Sequence, residues 1–156
     1  GAWQILLMNS HQAGKVAGRV TKSDLKQLEQ RLKQSSRHQL ICLHHQPVPV
    51  GCRWLDKIGL DNAQDFMRIV NQADNVRAVL FGHVHQHFEA QHSKLHLMST
   101  PSTCFQFAAN SDDFATDETI GPGYRWLELM PDGSISTEVC RVQNFKYEMD
   151  ENHMGY

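Results

Sequence analysis

The sequence predicts an α/β fold that becomes β-rich towards its C-terminus. Three observations carry this. Short apolar runs at 3–8 (WQILLM), 39–43 (QLICL) and 76–81 (VRAVLF) read as buried strands. Two stretches with helix-start signals and helical apolar spacing lie between them, giving the order strand, helix, strand, helix, strand. Beyond residue 82 the pattern changes to alternating segments separated by turn residues, as in antiparallel strands. Right-handed crossovers set the first three strands parallel. Ligand sites in such sheets lie at the C-terminal strand ends, which here fall at His44 and Gly82.

Each element has its own signal. Residues 11–20 are polar and contain glycine, so they read as a loop. Thr21 to Asp24 (TKSD) fits a capping box, and Leu25, Leu28 and Leu32 then share one face of a helix that Ser35 and Ser36 end. Pro47 and Pro49 forbid regular pairing after the second strand, so 46–60 is expected to be loop. Asn62 to Asp65 (NAQD) repeats the capping signal, and Phe66, Met67, Ile69 and Val70 supply the stripe of a second helix. Segments 86–90 and 95–99 read as antiparallel strands, and 108–119 as an acidic loop. Residues 124–130 and 134–141, joined by Pro131-Asp132-Gly133, form a hairpin.

Composition bounds the function. The chain has 156 residues, 40% apolar and 21% charged, which suits a single globular domain. The net charge is -2 with no basic block, which argues against nucleic acid as a partner. No apolar run is long enough to cross a bilayer and no signal-peptide pattern opens the chain, so no membrane partner is expected. Cys42, Cys52, Cys104 and Cys140 form no C-x-x-C pair and read as reduced thiols, which implies a cytoplasmic location. Histidine is the unusual residue: there are 10, five of them between 83 and 96.

Two strands end in histidine, His44 after ICL and His83 with His85 after LFG. Neutral imidazoles on neighbouring strand ends are good ligands for Mn, Fe or Zn. In an extended stretch His83 and His85 point to one side, and Gly82 lets the backbone turn sharply before them. Taken singly, a strand-end histidine is more commonly a hydrogen-bonded loop residue. His45 reads as a residue that packs behind a ligand. His87, His92 and His96 read as surface or strand-face residues, and Cys42 as a small core hydrophobe.

The block L-H-H-Q-P-V-P-V-G-C at 43–52, followed by G-H-V-H at 82–85, is similar to the last two blocks of the calcineurin-like metallophosphoesterase superfamily. The similarity continues through S-T-P-S-T-C-F-Q-F at 99–107, G-P-G-Y-R-W-L-E-L at 121–129 and P-D-G-S-I-S-T-E-V at 131–139. Together these resemble the C-terminal half of the bacterial cyclic-AMP phosphodiesterase branch. The resemblance implies half of a two-sheet α/β sandwich over residues 1–145, with 146–156 as a tail. It makes His44 and His83 ligands of one metal and His85 a ligand of the other, and sets Ser102, Thr103 and Phe105 near the substrate. It further implies hydrolysis of a cyclic nucleotide or another phosphodiester by hydroxide held between two divalent metals.

The superfamily's earlier blocks, D-x-H, G-D and G-N-H-D or G-N-H-E, do not occur here. The expectation is therefore an incomplete enzyme, inactive alone, with no metal or one weakly bound. The alternative is a non-catalytic metal-binding or interaction fragment. An uncovered sheet is expected to drive homo-oligomer formation.

Overall fold

The computed structural model describes residues 1–146. All but the first residue of the expected C-terminal tail lies outside them. Three parallel strands form as the sequence indicates: β1 (Trp3–Leu7), β2 (His38–Leu43) and β3 (Val76–Phe81), paired in the order β1-β2-β3. Helix α1 (Lys22–Gln34) links the first two, and a short α2 (Arg53–Asp56) precedes α3 (Ala63–Gln72) in the second crossover.

The Thr21 cap at the start of α1 is present, with Oγ1 accepting the Asp24 N–H at 3.1 Å, but the Asp24 carboxylate takes the Thr21 hydroxyl at 2.7 Å and not the backbone N–H of a full capping box. Leu25, Leu28 and Leu32 are buried, as are Phe66, Ile69 and Val70 of α3. These faces pack with Ile41, Val79 and Phe81 into the larger core, on one side of the sheet.

The remaining strands depart in part from the sequence reading. β4 (Glu89–His92) and β5 (Leu95–Ser99) are antiparallel partners, with β4 starting later than residue 86. β5 also pairs parallel with β3, giving one mixed sheet in the order β1-β2-β3-β5-β4. Within 46–60, expected as loop, α2 forms one turn, and the Asp56 carboxylate accepts the Val50 N–H at 2.8 Å. The 108–119 segment returns to pair β7 (Thr116–Asp117) with β6 (Gln106–Phe107).

Hairpin β8 (Gly123–Leu129) and β9 (Ile135–Arg141) forms as expected and lies over the other side of the sheet. There Leu127, Leu129 and Ile135 pack on Leu40, Ala78 and Met98. Trp3 Nε1 donates to the Met130 carbonyl at 2.6 Å. Near the other end of β8, the buried Arg125 donates to Glu89 at 2.6 Å and to the Ser99 carbonyl at 2.8 Å. This cover stops short of β1, where Ile5 is 55% and Leu7 81% exposed. No described helix is long and apolar enough to cross a membrane.

Candidate metal centre

The C-terminal ends of three adjacent parallel strands deliver Ser10 beyond β1, His44 and His45 beyond β2, and His83 beyond β3. Register holds the two histidine-bearing ends together. Leu43 pairs with Phe81, and the Gly82 N–H donates to the His44 carbonyl at 3.0 Å. His44 Nε2 and His83 Nδ1 consequently meet at 3.2 Å although 39 residues separate them. Ligand atoms of His44, His45 and His83 all lie within 4.8 Å of one another.

The loop carrying His83 and His85 is not extended. His83 has φ 65° and His85 φ 47°, while Gly82 is not in the left-handed region. The Val84 N–H bonds back to the Gly82 carbonyl at 2.7 Å, closing a tight turn around His83. Val84 itself is fully buried, so packing on both sides holds the turn. Non-glycine residues in this region carry strain and concentrate at functional sites. The strain falls on the histidines themselves rather than on the glycine.

Burial and mutual repulsion keep these rings neutral. His83 is 8% exposed, and burial followed by its neighbours His45, His44 and His85 lowers its pKa to about 4. The Ile58 backbone acts the other way. His44 sits exposed at the rim, yet the protein beneath it still lowers its pKa. Burial also lowers that of the half-buried His85. Neutral imidazole is the form that binds metal.

Two atoms are conspicuous. His83 Nε2 and His85 Nδ1 are buried and make no hydrogen bond of good geometry, although the Ile58 backbone lies close enough to act on the first ring and the Phe105 backbone on the second. A buried polar atom left so is costly and calls for an explanation. His85 stacks on Phe107, with ring centroids 4.6 Å apart and planes 12° apart, and meets Phe105 edge-on at 4.9 Å. It lies outside the tight three-histidine group.

The donor set fits one ion. Two imidazole nitrogens each about 2.0–2.1 Å from one tetrahedral ion lie roughly 3.3 Å apart. The His44–His83 separation of 3.2 Å matches that spacing. His45 is near but committed: Nδ1 takes the Ser10 hydroxyl at 2.8 Å and Nε2 faces the Val16 carbonyl at 2.9 Å. No carboxylate joins the group among the described residues.

Beside His83 and His85 opens a cleft of about 300 Å³ that Ser102, Thr103 and Tyr124 also line. Ser102 is tied into its turn: its Oγ accepts the Cys104 N–H at 3.0 Å and its carbonyl accepts from Gln106 and Gly123. Phe105 packs against His85 and is not on the cleft wall. Tyr124 had no signal in the sequence, because it stands on the outward face of a hairpin.

No known family profile matches the chain. Individual proteins do. A 3',5'-cyclic adenosine monophosphate phosphodiesterase, CpdA, of Pseudomonas aeruginosa is 39% identical across 100% of this chain. Proteins of the same name from Escherichia coli K12 and Vibrio vulnificus are 39% and 41% identical across 99% of it. Along its whole length the chain is therefore similar to part of the proteins named CpdA. The similarity read from the histidine blocks and the hairpin thus extends along the whole sequence. The chain spans only 56–57% of the length of these relatives.

Proposed function

We propose that this chain is part of a metal-dependent cyclic-nucleotide phosphodiesterase and holds an incomplete set of its metal ligands. The carrying observation is the contact of His44 with His83, at the spacing two ligands of one ion require, in a chain similar throughout to cyclic-AMP phosphodiesterases. In this reading His44 and His83 hold one ion, and His85 faces a second whose other ligands this chain lacks. A divalent ion such as Mn, Fe or Zn would supply a bound hydroxide and neutralise phosphate charge. The chain's own residues fix the ligands and shape the approach. β2 and β3 set the rings, Phe105 and Phe107 clamp His85, and the cleft beside Ser102 and Thr103 admits a cyclic nucleotide such as cyclic AMP.

The chain alone is not expected to turn over. Neutral imidazoles do little to offset repulsion between two divalent ions, and no carboxylate stands among them. Purified chain incubated with Mn and cyclic AMP should show the same background as the His44→Ala, His83→Ala double variant. Hydrolysis abolished in that variant would show that this segment is a working enzyme, with ligands borrowed across an oligomer. The four free thiols suit a reducing, cytoplasmic compartment.

A further inference from the structure

We infer that His45 is a positioning residue, a wedge that holds the His44 and His83 rings in their facing arrangement and couples them to the loop after β1. The inference rests on the metal reading of His44 and His83, and concerns a residue that this reading leaves without a role. His45 is 6% exposed, and its ring lies 4.8 Å from that of His44, edge-on, and 4.7 Å from that of His83. It therefore fills the space behind both rings.

Its own orientation is determined on every side. Nε2 faces a carbonyl, which can only accept, so Nε2 carries the proton. Nδ1 is then an acceptor, and the Ser10 hydroxyl donates to it at 2.8 Å. The same Ser10 oxygen accepts the His45 backbone N–H at 3.3 Å. Ser10 is 2% exposed and is fixed by its carbonyl, which accepts the Arg19 N–H at 2.9 Å. Against the ring lies Gly18, where a Cβ would stand 2.2 Å from His45 Nδ1. Gly18 is in turn stitched to the crossover, donating to Gly59 at 3.0 Å and accepting from Asp61 at 2.7 Å.

Both ring nitrogens are thus occupied, and His45 supports ligands instead of being one. Partners that orient a metal-binding histidine by a hydrogen bond commonly govern metal affinity by about 10–100-fold, and His45, which orients by ring contact, is placed at the low end of that range. The wedge also explains why the 10–18 loop is pinned over strand ends that carry the site.

The test uses the purified chain and NMR of its histidine rings, first metal-free and then with zinc alone. Wild type should show His45 as the Nε2–H tautomer and a ring-to-ring contact between His44 and His83. His45→Ala should lose that contact and bind zinc about 10-fold more weakly. His45→Gln, which keeps a donor and an acceptor, should recover part of both. Ser10→Ala keeps the ring's bulk and its Nε2–H on the Val16 carbonyl but removes the donor to Nδ1; it should weaken the His44–His83 contact and zinc binding, which covers the case in which His45→Ala does not fold. Unchanged ring contact and zinc affinity in a folded His45→Ala would overturn the inference. So would zinc shifting the nitrogens of His45 itself. Zinc that leaves His44 and His83 untouched in wild type would refute the metal reading, while the metal-free ring contact still decides the wedge.

Discussion

His83 combines features that a purely structural residue rarely combines: a buried ring, close contact with two other imidazoles and a left-handed backbone. Its titration gives a test. The folded pKa near 4 lies below the ordinary value near 6.5, so below pH 6.5 the unfolded chain binds more protons than the folded one. Stability should therefore fall as pH drops from about 6.5 to about 4, by at most about 3 kcal/mol from this group and less where solvent screens it. His83→Asn removes the imidazole while tolerating a positive φ. Its melting temperature should fall less steeply over that window than the wild type's, and parallel curves would show that His83 is not the group responsible. The residue types of the site were legible: His44, His83 and His85 stand at strand ends in sequence and in space. The left-handed turn was not. Glycine is the ordinary sign of such a turn, and here packing around Val84 holds histidine in it instead. Phe105 packs edge-on against His85, so its ring is held beside a candidate ligand.

Elements whose signals are local form as expected, and of the contacts that depend on distant partners only the parallel order β1-β2-β3 does. The Thr21 cap of α1, its leucine stripe and the β8–β9 hairpin rest on neighbours in sequence, and they form as predicted. Asn62 shows the opposite case. It was read as a helix cap, yet makes no cap bond; its amide accepts the Val20 N–H at 3.2 Å and donates to the Val20 carbonyl at 2.9 Å. Val20 is fully buried and outside any strand, so its backbone needs those partners more than the helix end does. Asn62→Asp separates the two roles. Aspartate caps as well as asparagine but has no N–H for the Val20 carbonyl. The variant should lose about 1–3 kcal/mol in a denaturant titration, whereas an unchanged midpoint would restore the cap. The parallel pairing of β5 with β3 was likewise hidden, because β5's alternating pattern signals only its antiparallel partner β4 and no helix marks a crossover from β3.

At the scale of the molecule, one flank remains open. The hairpin covers the centre of the sheet, and β1 is left at an edge with Ile5 and Leu7 exposed. Exposed apolar strand edges recruit partners. We therefore expect the isolated chain to self-associate through β1, and light scattering should report a mass above that of one chain. Leu7→Lys should return it to a monomer, and a wild-type monomer at high concentration would refute this. The central claim is that the strand ends form a site for one divalent ion, lacking what a metal pair needs. Metal content after incubation with excess Mn or Zn and removal of free ion tests it most directly. The account predicts at most one ion per chain, weakly held, and its loss in the His44→Ala, His83→Ala double variant. Two ions per chain, or one retained by that variant, would contradict it.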